Sequence, residues 1–196
     1  MARVLLLPVA AVVVLLSCVS GMAGTAAATA FIRSSCRAAT YPDVCVTSLA
    51  EYGPAIKESP QSLVQTALSV SLKRANSTKA FVNRLCKTTD RSKSLEYGPL
   101  KDCLDQISDS MDRITKSVGE LKNMGRAHSP EYPLHVSNAQ TWVSAALTDQ
   151  TTCMDGFEGR AFNRSVKAPI RAQVNDLARV TSNALALINK FVAKYN

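Results

Sequence analysis

Glycine and proline are scarce, with eight of each among 196 residues. That scarcity excludes collagen-like and low-complexity classes and leaves little material for a turn-dense β-fold. Aromatic residues make up 6% of the chain, with a single tryptophan. Strand-rich folds draw on more of them, so the composition leans towards helix. Two histidines are present, His128 and His135, which is too few for a His-cluster metal site and thin for His-based catalysis. Both fall between two helical patterns and read as surface loop residues. No Cys-x-x-Cys pair, phosphate-cradling Gly-rich loop, internal repeat or basic tract occurs. Zinc, thioredoxin-type and nucleotide chemistry therefore lack their usual signatures, and no cofactor is expected.

The 46% hydrophobic content is enough for a true core, and the formal net charge is +8. A surface of that sign favours polyanions. Compartment narrows the choice. Arg3 precedes an apolar run from Val4 to Val19, and small residues follow from Ser20 to Ala30. This is the pattern of a secretory signal peptide over residues 1–23, with A-x-A-like cleavage sites after Ala23, Ala28 or Ala30. The run is short for a membrane span. The expected product is a secreted, apoplastic or otherwise extracellular monomer, with no membrane association and no nucleic-acid partner. Losing Arg3 leaves 22 basic and 15 acidic side chains, a net +7.

Export favours disulfides. Of Cys18, Cys36, Cys45, Cys86, Cys103 and Cys153, the first leaves with the signal and five remain, so at least one stays unpaired within the chain. Asn76-Ser-Thr and Asn163-Arg-Ser are glycosylation sequons.

Four long segments carry apolar or small residues at alternating steps of four and three. The first runs Val64, Leu68, Ser71, Ala75, Thr78, Val82, Leu85, and the second Leu100, Leu104, Ile107, Met111, Ile114, Val118, Leu121. The third runs Val136, Ala139, Val143, Ala146, Gln150, Cys153, Phe157, and the fourth from Val166 and Ile170 through Val174, Leu177, Thr181, Ala184, Ile188 and Phe191 to Tyr195. Such spacing places each set on one helix face. The prediction is an all-α fold in which these helices form an up-down-up-down four-helix bundle. Pro60, Gly98-Pro99, the breakers from Gly125 to Pro133, and Gly156, Gly159 and Pro169 mark the connections. Ahead of the bundle, a Cys36–Cys45 bridge would staple two short helices into a hairpin, worth roughly 2.5–3 kcal/mol in the chain-entropy model. For the second bridge, spacing leaves both Cys103–Cys153 and Cys86–Cys103 open.

The segment Cys36-Arg-Ala-Ala-Thr-Tyr-Pro-Asp-Val-Cys45 resembles the opening of plant invertase and pectin methylesterase inhibitors. Thr141-Trp-Val-Ser-Ala-Ala-Leu-Thr-Asp-Gln-Thr-Thr-Cys-Met-Asp-Gly-Phe-Glu158 is similar to that family's penultimate helix, and Thr181 to Ile188 to its ending. The likeness spans about residues 31–195, so residues 31–196 read as one inhibitor domain. It implies an α-hairpin docked on a four-helix bundle, bridges Cys36–Cys45 and Cys103–Cys153, and Cys86 as the odd thiol. It implies a protein inhibitor without catalysis of its own, whose partner is pectin methylesterase or, alternatively, a cell-wall or vacuolar acid invertase. The wording of the Trp142 segment is closer to the pectin methylesterase side, and the Pro-Lys-Phe triplet frequent in invertase inhibitors does not occur. One departure is Ile107, where the family often carries Tyr.

Asp102, Asp105, Asp109 and Asp112 recur at steps of three, four and three. Like charges so placed repel by a few tenths of a kcal/mol per pair, so helix stability does not explain them. Arg113 and Lys116 stand by as partial neutralisers. The resemblance places Asp105, Asp109 and Asp112 on the helix that faces pectin methylesterase, and Thr152 on the enzyme-facing surface. Trp142 reads as packing or a surface anchor. The positive remainder of the surface is expected to give weak attraction to demethylated pectin.

Overall fold

A computed structural model describes residues 26–90, 95–127, 129–158 and 164–193. The signal segment 1–23, His128, Gly159, Asn163 and Tyr195 lie outside the described residues. The first helix, α1, covers residues 26–36, and Pro42 occupies the first turn of α2 (Pro42–Leu49), where its missing N–H costs nothing. The disulfide Cys36–Cys45 joins the two. A 3₁₀ turn (Ala50–Tyr52) leads into α3 (Gly53–Ile56). A Cβ on Gly53 would stand 3.3 Å from the Ala28 Cβ, so glycine lets α1 lie close on α3. Ala28 is itself buried; of the cleavage sites named above, the one after Ala23 leaves α1 whole.

Four long helices follow: α4 (Pro60–Thr88), α5 (Tyr97–Asn123), α6 (Tyr132–Asp155) and α7 (Arg164–Ala193). The Ser59 side chain caps α4 by accepting from the Ser62 amide. Gly125, at φ +67°, turns the chain after α5. Helix α4 packs on α5 and α7, and α6 closes the ring by packing on the same two. Cross-helix pairs show the neighbours antiparallel. Gln65 reaches the Leu121 carbonyl, Thr78 that of Gln173, and Gln140 the Asn189 side chain. The fold is all-α, with no strand among the described residues.

The apolar stripes of α4, α6 and α7 form the core. That of α5 is rotated from its expected position. Cys103, Ser110 and Ser117 are buried with Ile107, Ile114 and Leu121, while Leu104, Met111 and Val118 are half-buried at the edge. Two breakers and one histidine also differ from expectation. Pro169 lies inside α7 rather than before it, near enough to the start that the helix loses one backbone bond. Pro133 sits in the first turn of α6, and His135 lies on that helix rather than in the loop.

The hairpin docks on α7 through polar contacts. Asn183 Oδ1 accepts from the Tyr41 amide at 2.8 Å, and its Nδ2 donates to the Tyr41 carbonyl at 2.9 Å. Arg179 lies 5.6 Å from the Tyr41 ring centroid, and Lys190 Nζ donates to the Ser34 carbonyl at 3.2 Å.

Candidate functional site: the acidic flank of α5 and its seam with α6

Helices α5 and α6 meet along small side chains spaced by seven: Cys103, Ser110 and Ser117 face Cys153, Ala146 and Ala139. The first pair is a disulfide with Cα atoms 4.2 Å apart. Ser110 Oγ donates to the Ala146 carbonyl at 3.2 Å, and Ser117 Oγ to the Ala139 carbonyl at 3.1 Å. Helix separation is set by the side chains at the contact, and these are short and hydrogen-bonded, so the backbones run close together. Gln150 Nε2 extends the polar layer to Ser110 Oγ (2.8 Å) and to Thr181 Oγ1 of α7 (3.2 Å).

On one side of this seam the four α5 carboxylates, Asp102, Asp105, Asp109 and Asp112, are all exposed. Arg113 does not neutralise them as expected. Its Nε donates to Asp149 Oδ2 across the seam at 2.6 Å. Lys116 is likewise engaged, its Nζ 4.7 Å from the centroid of the Trp142 ring. One turn further, Glu120 Oε2 lies 2.6 Å from His135 Nδ1. Arg113 and Lys116 are thus engaged with α6, and the aspartate row faces solvent, with exposed Lys101 beside Asp102 at its start.

Thr152 is exposed as well, its Oγ1 donating to the Thr148 carbonyl at 2.9 Å. A hydroxyl that donates inward keeps its lone pairs for an outside donor. Thr152 immediately precedes Cys153, and Asp102 immediately precedes Cys103, so the disulfide holds Thr152 near the Asp102–Asp105 end of the row. This arrangement offers hydrogen-bond acceptors at fixed spacing on two cross-linked helices.

Asp149 is 6% exposed. Burial pushes its carboxyl above the ordinary range; the Arg113 hydrogen bond and charge oppose the rise, and Asp109 adds to it. The Cys86 thiol, free and half-buried, is also pushed up, first by burial and least by the Asp105 charge, against a backbone hydrogen bond. It is thereby held away from the reactive thiolate. Sequence reasoning missed Asp149, although its position between Ala146, Gln150 and Cys153 is one that a helix buries.

Asn76 is exposed on α4. Ile107, which stands where Tyr is frequent in the family it resembles, is fully buried in the core.

A family model described as plant invertase/pectin methylesterase inhibitor matches residues 30–187. The chain is 50% identical over 166 residues to pectinesterase inhibitor 11 of Arabidopsis thaliana, covering 84% of this chain and 82% of that protein. It is 47% identical over 173 residues to a "21 kDa protein" of Daucus carota, covering 88% and 89%. Among solved structures, a mutant form of a pectin methylesterase inhibitor from Arabidopsis matches with a TM-score of 0.60 at 18% identity, over 79% of this chain and 92% of that one. At that identity the likeness speaks for the fold.

Proposed function

Because the chain belongs to the plant invertase/pectin methylesterase inhibitor family, we propose that it is a secreted inhibitor of pectin methylesterase. It would act as a monomer that covers the enzyme's substrate cleft in a reversible complex. The observation that carries this reading is the near-50% identity, over most of both chains, to a protein named as a pectinesterase inhibitor. Among the described residues no helix is long and apolar enough to cross a membrane.

The α5 flank supports an interface role. Its natural competitor is a polyuronate, and a row of carboxylates on a rigid helix presents the same acceptor chemistry. At a rise of 1.5 Å per residue, Asp105 and Asp112 stand about 10 Å apart along the axis, with Asp109 between them. Asp105, Asp109, Asp112 and Thr152 are the proposed contacts. A cleft that binds an anionic polymer would meet them with basic or donor groups, and such complementarity sets orientation and on-rate.

The test is inhibition of a purified pectin methylesterase and of an acid invertase, in parallel, by the secreted chain and by its Asp105→Ala/Asp109→Ala/Asp112→Ala variant. Expected is inhibition of pectin methylesterase, weakened at least tenfold by the triple substitution with helicity unchanged. Inhibition confined to invertase would overturn the target. Full inhibition by the triple variant would return the aspartates to an ordinary solvated face.

A further inference from the structure

A groove of about 700 Å³ runs between the outer faces of α4 and α5, on a different side of α5 from its seam with α6, and Asn76 of the Asn76-Ser-Thr sequon is in its wall. We propose that Asn76 carries an N-linked glycan whose first sugars are seated in this groove. The inference is independent of the enzyme target.

The sequon can be read only before α4 folds. In the folded helix Thr78 is fully buried, with its Oγ1 on the Gln173 carbonyl, and Asn76 Nδ2 donates to the Leu72 carbonyl at 3.0 Å. On the extended chain, Asn76 Nδ2 would attack C1 of the sugar in a lipid-pyrophosphate-linked oligosaccharide. The new C1–N bond forms as the C1–O bond to pyrophosphate breaks. The lipid pyrophosphate leaves with that electron pair, and the amide gives up one proton. Its remaining N–H can still serve the Leu72 carbonyl, so the modified chain keeps the helix.

The groove then matches what is attached to its wall. Its size lies within the ~300–1,000 Å³ of small-molecule pockets. Half-buried Leu72 and Val118 give an apolar floor for the carbon face of a sugar ring. Ser69, Ser77 and Thr115 donate their protons to the carbonyls four residues back, at 2.9, 3.2 and 2.8 Å. Each hydroxyl is left with lone pairs turned to accept from sugar hydroxyls.

The experiment is secretion of the full chain from yeast, glycopeptide mapping, and the rate of glycan release by a peptide-N-glycosidase from native and from denatured protein. Expected are an occupied Asn76, a glycopeptide lost in Asn76→Gln, and release at least tenfold slower from the native form. Filling the groove with Val118→Arg, or with Thr115→Arg should the first variant lose helicity, is expected to speed native release while leaving occupancy unchanged. An unmodified Asn76 would overturn the site. Native release as fast as denatured, or equally slow with the groove filled, would overturn the seating.

Discussion

Asp149 sits between two opposed effects. Arg113 approaches its carboxylate at 2.6 Å, yet burial is the larger influence and raises its pKa. A carboxyl whose folded pKa lies above its unfolded value favours folding most when protonated. Its contribution is complete below the unfolded value of about 3.9 and is lost as pH rises through the folded one. Asp149→Asn removes the titration while keeping an acceptor for Arg113. Measured by thermal melts between pH 4 and 7, the native chain is expected to lose stability relative to Asp149→Asn as pH rises. The opposite slope would mean that the Arg113 pair outweighs desolvation. Asn183 acts through geometry alone, since its amide serves both backbone groups of Tyr41. Asn183→Ala strands the Tyr41 N–H at the hairpin turn, while the Tyr41 carbonyl keeps the Cys45 amide at 2.9 Å. A loss of about 1–3 kcal/mol is expected, measured by urea denaturation.

At the scale of elements, the α5–α6 seam depends on side chains that hydropathy does not rank as core. Ser117→Leu at the close contact is expected to cost about 1–3 kcal/mol through overpacking, beyond the smaller cost of Ser117→Ala, which only deletes a hydrogen bond. Urea midpoints compare them, and a leucine no worse than alanine would show that close approach is not what the seam requires. The same chemistry explains what could be read from the sequence and what could not. Stripes such as Val64 to Val82 and Ile170 to Phe191 located helices α4 and α7, because apolar periodicity and burial coincide there. On α5 they diverge. Leu104, Met111 and Val118 outrank Ser110 and Ser117 in hydrophobicity, but the serines are satisfied by carbonyls of α6 and take the core. The aspartate row was readable from spacing because it is exposed. Asp149 shares the buried face of Ala146, Gln150 and Cys153, but the partner that lets a carboxylate sit there, Arg113, comes from another helix. Asn183 serves a turn 142 residues away, a distance over which no local pattern speaks. His135 differs from a loop residue because Pro133 opens α6 rather than ending the loop, and Glu120 of α5 then faces the His135 ring.

For the whole molecule, a net charge of +8 coexists with an acidic α5 flank, so the proposed docking on the enzyme and the proposed attraction to pectin would make opposite demands on the same three residues. Weak attraction to demethylated pectin would come from the positive remainder, including exposed Arg33 of α1, Arg37 just after it and Arg164 of α7. Such attraction between exposed charges is screened over a Debye length of about 8 Å at physiological salt. Docking on pectin methylesterase would instead use Asp105, Asp109 and Asp112 directly. Removing those carboxylates makes the protein three charges more positive. Retention of the triple alanine variant on a demethylated-pectin column at pH 7 is therefore expected to persist to higher salt than that of the unmodified chain, while its inhibition weakens. If net charge alone governed both, retention and inhibition would move together. If retention ignored both the three added charges and the salt, the polymer attraction would be rejected, and the positive remainder would be left without a polyanionic counterpart.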